Sequence, residues 1–440
     1  MTPPTGPSGP RLQVSPDRPT LDTALRIRLF DLAPHTPVVL RARGTDRHGD
    51  GWSSWAAFTT PADGPLDLTR HAPVEGCYPG VDPMGLIWSM TRDGTTADRP
   101  APHLPPTPLL LTAEHDGRPV ATQHVDRLNL PIGVTRTQVR EHGLVGILFV
   151  PEGGPHPGVV LLGGSEGGLH EDDAALLAGH GFAVFALAYF GTAGVPAELV
   201  NIPVEYFGTA LRFLAEHRDV RGDRPAVIGG SFGGQAALLV GSMFPEVRAV
   251  VSVAGSGVIT QGIDGDVSDG NFLHIMTTEV APWTWRGRPL PFVADPVTPE
   301  LQRQVEAGEP VAMRGSFEQG LRDADRVAAA TIPVERIHGA VLLISAGDDR
   351  SCPGETLSDI ALHRLTAHRH PFDHRHLRYP AAGHGICLPP FRPTTDTVVP
   401  GPGVLLDLGG TARDTAAAQQ AAWAAILDFL TTHLQPRTAT

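Results

Sequence analysis

Apolar and polar positions follow two different rhythms along this chain, and the change falls near residue 131. Before it, short segments with β-like character, Arg11 to Ser15, Leu25 to Leu29, Val38 to Arg43 and Trp52 to Phe58, are separated by clusters of Pro, Asp and Gly. That spacing predicts an all-β sandwich over residues 11–130, preceded by a flexible Pro-rich N-terminus, residues 1–10. The polar, Pro-rich stretch 91–108 is expected to loosen this domain into a connection, with further β-like segments continuing to about residue 130.

After residue 131, continuous apolar runs alternate with helical stretches. Val145 to Val150, Val159 to Leu162, Ala183 to Ala188, Ala226 to Gly229, Ala249 to Val253 and Val341 to Ser345 suit strands buried on both faces. They predict an α/β domain over residues 131–440 with a mostly parallel sheet. The last helix, about 417–434, places Trp423, Ile426, Leu427, Leu430 and Leu434 on one stripe, as core packing requires. Residues 258–330 interrupt the rhythm with Gly, Pro and Trp and are expected to form a cap.

Composition narrows the chemistry. All 34 cationic residues among the 440 are Arg, because the chain has no Lys. Schiff-base and pyridoxal-phosphate enzymes, Walker A loops and Ser-Lys dyads each need a lysine amine and are thereby excluded. A formal net charge of −13 disfavours nucleic acid or anionic membrane as a partner. The first residues, MTPPTGPSGPRLQ, contain no apolar core of a signal peptide, and no run approaches the ~18–20 apolar residues of a spanning helix. A cytoplasmic location is therefore expected. Three cysteines, Cys77, Cys352 and Cys387, are odd in number and widely spaced, so neither a disulfide framework nor a zinc site is indicated. No cofactor is called for.

Two segments match G-x-S-x-G: Gly163-Gly164-Ser165-Glu166-Gly167 and Gly229-Gly230-Ser231-Phe232-Gly233. With 50 glycines in the chain, the pattern alone is weak, and chain order must decide. In α/β-hydrolases an earlier strand ends in the turn that lends an oxyanion-hole N–H, and a later strand carries the nucleophile, followed by the acid and the His. Ser231 is accordingly the expected nucleophile. Ser165 is expected to contribute its backbone N–H, beside that of Phe232. The run Val341 to Ser345 leads into Asp348-Asp349, either of which suits the triad acid; Asp349 is preferred because Cys352 and Pro353 follow it at a spacing found in related hydrolases. Among 20 histidines, His384 in Ala382-Gly383-His384-Gly385 follows the last predicted strand and is the expected base. His370, His374 and His376 read as solvated residues rather than metal ligands, and Glu171, Asp172 and Asp173 as helix N-terminal acids.

With these residues in place, the chain resembles the acyl-CoA thioesterase and bile acid-CoA:amino acid N-acyltransferase family from about residue 11 to 434. The runs that carry the resemblance are Leu32-Ala33-Pro34 with PVVLRAR, the segment 80–90 (GVDPMGLIWSM), the segment 177–184 (LAGHGFAV) with ALAYF, Val204-Glu205-Tyr206-Phe207, Ile332-Pro333-Val334-Glu335-Arg336 and the segment 379–384 (YPAAGH). The resemblance implies an immunoglobulin-like β-sandwich joined to an α/β-hydrolase domain, with Ser231, Asp349 and His384 as the triad. It also implies hydrolysis, because amidating members resemble one another in a Cys nucleophile where this chain has Ser231. Two departures bear on substrate preference: Phe232 after the nucleophile, and the turn Gly163-Gly164-Ser165-Glu166.

The leading expectation is a serine-dependent hydrolase of acyl-CoA or acyl-carrier thioesters. An N-acyltransferase would use the same acyl-enzyme with an amine as acceptor. An ester, lactone or amide hydrolase keeps the triad, and a binding protein on an inactive scaffold would not need it. Chain length, the carrier and oligomeric state are not legible in the sequence.

Overall fold

The computed structural model describes residues 9–46, 49–94, 104–265 and 272–434. Most of the expected flexible N-terminus, the middle of 91–108 and part of 258–330 lie outside the described residues. The chain divides into two compact units, Met1–Pro131 with Pro389–Asp396, and Ile132–Leu388 with Thr397–Thr440.

The first unit holds two antiparallel sheets. Arg11–Ser15, Arg26–Phe30 and Leu66–Asp67 form the smaller. In the larger, Glu75–Gly76, Gly51–Thr59, Pro37–Thr45, Thr107–His115 and Arg118–Arg127 lie in that order, and Thr91–Gly94 also pairs with Gly51–Thr59. Burial alternates residue by residue along Gly51–Thr59, as a strand with one face on a core requires. The stretch 91–108 is not the connection between units. Thr91–Gly94 and Thr107–His115, which flank it, belong to the same sheet of the first unit. The unit is completed by Pro389–Asp396, where Thr394 N–H donates to Trp88 O at 3.0 Å and Asp396 pairs with Arg92 at 2.9 Å. No local pattern in the sequence marks that return.

The second unit is built on eight strands: β1 Val134–Val139, β2 Val145–Pro151, β3 His156–Leu162, β4 Ala183–Ala188, β5 Val220–Gly230, β6 Ala249–Val253, β7 Ala340–Ala346 and β8 His374–Tyr379. Their order across the sheet is β1-β2-β4-β3-β5-β6-β7-β8. β2 runs antiparallel to its neighbours β1 and β4, and every pairing from β4 through β8 is parallel. The unbroken burial of β4, β6 and β7 explains their continuous apolar runs, since helices cover both faces. The helices α1 Glu171–Ala178, α2 Glu205–Glu216, α3 Phe232–Met243, α4 Gly354–Ala367 and α5 Ala412–Leu434 connect or follow the strands. Phe207 and Leu211 of α2, Leu239 of α3 and Leu365 of α4 share one core with Phe185, Val227 and Leu343 of the strands. Intervening strand residues such as Phe149, Val159 and Val184 are equally buried on the other face. This is an α/β-hydrolase sheet, and its parallel strands β3, β5 and β7 end where the candidate residues lie.

Residues 258–330 leave the sheet after β6. They contain Phe272–Thr277, Pro299–Ala307, Arg314–Gly320 and Ala324–Ala330 as helices, and Trp283–Trp285, which pairs with Ile202–Pro203. Among the described residues no helix is long and apolar enough to cross a membrane.

Candidate active site

Ser231 stands between β5 and α3 with φ 53° and ψ −122°. Such a backbone costs a non-glycine residue about 1–3 kcal/mol and persists only where its surroundings enforce it. Here the enforcement is close packing. A Cβ on Gly229 would fall 2.1 Å from the carbonyl oxygen of Gly233, and one on Gly233 would fall 2.4 Å from the carbonyl oxygens of Leu162 and Gly163. Glycine at both positions lets strand, helix and the turn after β3 close on one another, which turns the serine outward. Its N–H donates to Val253 O at 2.8 Å, tying the elbow to β6.

The look-alike at Ser165 is a different object. Its positive φ values belong to Gly167 and Gly168, not to the serine, so it has no elbow. The turn is fixed by the Tyr189 hydroxyl, which donates to Gly163 O at 2.6 Å. It lies against the nucleophile, since a Cβ on Gly164 would be 3.3 Å from Ser231 Cβ. Phe232 opens α3, so its N–H lies in the first turn, where no intrahelical acceptor is available.

His384 occupies a short 3-10 turn after β8. Its Nε2 lies 3.0 Å from Ser231 Oγ and its Nδ1 lies 2.7 Å from Asp349 Oδ2. Asp349 is fully buried, and its other oxygen accepts the N–H groups of Ser351 at 2.9 Å and Cys352 at 3.0 Å. Asp348 points elsewhere: its side chain is half exposed, accepts from Gly410 N–H at 3.1 Å and lies 3.8 Å from Arg350. The three residues Ser231, His384 and Asp349 are thus brought together, and Asp348 is not among them.

Burial alone would push the His384 imidazole toward the neutral form. The charge and hydrogen bond of Asp349, with the more distant charge of Glu166, outweigh it and raise the pKa above 6.5. Burial raises the thiols of Cys352 and Cys387, so neither is a ready thiolate. Ligand atoms of Asp349, Cys352 and His384 lie within 4.8 Å of one another. His384 Nδ1 and Asp349 Oδ2 are already joined to each other, and the thiol is protonated, a poor donor set for a cation.

Three supporting residues escaped sequence reasoning. Arg314, from the segment between β6 and β7, donates to Gly347 O at 2.9 Å and Asp349 O at 3.1 Å and so braces the acid loop. Thr415 and Gln419 of α5 brace the histidine loop: Gly383 N–H donates to Thr415 Oγ1 at 3.2 Å and Gln419 Nε2 donates to Gly385 O at 2.8 Å. Gln419 had a signal, because it sits four residues before Trp423 on the apolar stripe. Arg314, one of many arginines, had none.

The other histidines correct an expectation. His370 and His376 are not solvated loop residues, and His374, half-buried, opens β8. His370 is buried and faces Gly339 O at 3.0 Å, and the His376 ring is wholly covered between Ser345 Oγ at 2.6 Å and Asp359 Oδ1 at 2.9 Å. Ser345, His376 and Asp359 copy a triad in chemistry. Ser345 is fully buried in β7, however, so no substrate reaches it. The burial of β7 was legible, but its partner's register was not.

Residues 202–436 match the family described as BAAT / Acyl-CoA thioester hydrolase C terminal, and residues 22–141 match its N-terminal region. The chain belongs to the acyl-CoA thioester hydrolase/BAAT family. This family member is 32% identical to the peroxisomal succinyl-coenzyme A thioesterase of Mus musculus, over 96% of each chain. It is 33% identical to the mitochondrial acyl-coenzyme A thioesterase 2 of Homo sapiens, over 94% of this chain and 82% of that one. It is also 30% identical to the bile acid-CoA:amino acid N-acyltransferase of Mus musculus, over 97% of this chain and 98% of that one. Hydrolysing and amidating relatives therefore stand at similar distance, so identity alone does not choose between water and an amine.

Proposed function

We propose that this protein is a serine-dependent acyl-thioester hydrolase that works through an acyl-Ser231 intermediate. The observation that carries the reading is the continuous relay from buried Asp349 through His384 to Ser231 on a strained elbow. Ser231 Oγ attacks the thioester carbonyl carbon while His384 Nε2 takes its proton. The tetrahedral oxyanion is held by the N–H groups of Phe232 and Ser165. As the carbon–sulfur bond breaks, the thiolate leaves with the proton from His384. Water then attacks the acyl-serine, its proton passes to His384 and on to Ser231 Oγ, and the free acid departs. Each oxyanion donor is expected to contribute about 10²- to 10³-fold in turnover.

The substrate is an acyl-CoA or an acyl-carrier thioester. The first unit is read as an immunoglobulin-like sandwich, residues 258–330 as a cap, and the location as cytoplasmic. The second reading, transfer of the acyl group to an amine, is supported by the N-acyltransferase relative. In the test, the protein is mixed with a panel of acyl thioesters and its intact mass is followed, with and without amino acids. An acyl adduct on Ser231 that decays to free acid is expected. Quantitative amide formation in place of acid would give the amine reading precedence.

The histidine must be neutral to act as base. Because its pKa is raised above 6.5, kcat/KM is expected to rise with pH along an acid limb centred above that value. A limb at or below 6.5 would remove His384 from this role.

A further inference from the structure

The turn after β3 places a second chain of charged groups beside the nucleophile. Glu166 Oε1 lies 2.9 Å from His170 Nε2, and His170 Nδ1 lies 3.7 Å from Asp173 Oδ2. Two missing side chains make room for it. A Cβ on Gly163 would fall 2.3 Å from the His170 ring, and one on Gly164 would fall 2.7 Å from Glu166 Oε2 and 3.3 Å from Ser231 Cβ. One carboxylate oxygen is thus held by the imidazole, and the other faces Gly164 on the side of the serine. The Glu166 side chain keeps 61% of its surface open to solvent, so a molecule bound at Ser231 can reach it.

Burial disfavours the His170 cation, but hydrogen bonds and charges from Asp173 and Glu166 prevail and raise its pKa to about 10. Partial loss of surrounding water disfavours the Glu166 anion, but His170 and the N–H groups of Glu166 and Gly164 prevail and lower its pKa. Glu166 thus presents an anionic carboxylate next to the position where a thioester carbonyl is attacked. An oxyanion gains nothing from such a neighbour. A cationic group does.

We propose that Glu166, held in place by His170 and Asp173, forms a binding site for a primary ammonium group next to Ser231, carried either by the acyl chain a few bonds from the carbonyl or by a separate amine acceptor, which sheds one proton to solvent before its nitrogen attacks the acyl-serine and a second through His384 to Ser231 Oγ. This rests on the reading of Ser231 as the residue that takes the acyl group. It makes the oxyanion turn a specificity element that favours cationic partners and disfavours acyl groups ending in a carboxylate.

Three thioesters of nearly equal size test the first source: β-alanyl-CoA, butyryl-CoA and succinyl-CoA. The wild-type protein is expected to rank them in that order by kcat/KM. In Glu166→Gln, which keeps an acceptor oxygen for Gly164 N–H, the β-alanyl to butyryl ratio should fall and the succinyl to butyryl ratio should rise, each by about tenfold. Opposite changes within one variant cannot come from misfolding. For the second source, propylamine competes with water for the butyryl group, and the amide fraction should drop by a similar factor in Glu166→Gln. A change confined to the thioester ratios places the ammonium on the acyl chain, and one confined to the amide fraction places it on the acceptor. All ratios unchanged, in a variant that still hydrolyses butyryl-CoA, would overturn the proposal. If the wild-type protein forms no adduct on Ser231 from any of the three, the underlying thioester reading fails and this inference falls with it.

Discussion

Ser231→Ala is expected to abolish the acyl-enzyme and to lower thioester turnover by roughly 10⁴- to 10⁶-fold, leaving only what the oxyanion donors and substrate binding supply. The fold should persist. Alanine keeps the Cβ of serine, so the elbow's strain is unchanged, and the backbone bond to Val253 O does not involve the side chain. The lost contact is the one to His384 Nε2 at 3.0 Å. Thermal unfolding should therefore shift by a few degrees at most, for a lost hydrogen bond of about 1 kcal/mol. A serine-directed covalent probe should label wild-type protein at Ser231 and spare both exposed Ser165, which lacks an activating base, and buried Ser345, which lacks access. The assignment reverses if Ser165→Ala loses activity while Ser231→Ala retains it.

Asp349→Asn should cost about 10⁴-fold in kcat, while Asp348→Asn stays within about twofold of wild type. The contrast follows from where two adjacent carboxylates point. Asp349 Oδ2 meets His384 Nδ1 at 2.7 Å and holds the imidazole with Nε2 free to take the serine proton. An amide there carries no charge to stabilise the imidazolium, although its carbonyl oxygen still accepts the N–H groups of Ser351 and Cys352 and preserves the loop. The acid limb of kcat/KM should also move to lower pH in Asp349→Asn, because the charge that raised the His384 pKa is gone. Comparable losses in both variants would show that the loop, not the carboxylate, is being measured.

The elements that the sequence announced are those whose burial is local in origin. Continuous apolar runs became β4, β6 and β7, because a strand covered on both faces needs no alternation. The order of a Gly-rich turn, an elbow, an acid loop and a histidine loop was readable because α/β-hydrolase connections carry these in a constant succession. Other features depend on segments distant in sequence. The stretch 91–108 looked like a connection because Pro and polar residues mark any loop, and only pairing of the flanking strands with Pro37–Thr45 and Gly51–Thr59 shows that both flanks belong to one sheet. The histidines near 370 looked solvated for the same reason: their neighbours in sequence are polar, while their neighbours in space are Gly339, Ser345 and Asp359.

By itself, the sequence determined the class of fold, the family, and which serine and which histidine stand at strand ends able to hold them. The fold class and the strand ends follow from periodicity and chain order, and the family from the resemblance carried by runs such as 80–90 and 379–384; all are properties of consecutive residues. The sequence favoured Asp349 as the acid; the tertiary structure turned Asp348 away from His384, recruited Arg314, Thr415 and Gln419 as braces, and set Glu166 beside Ser231. Each of those outcomes is a direction in space fixed by packing between segments far apart in the chain, and side-chain direction has no local code.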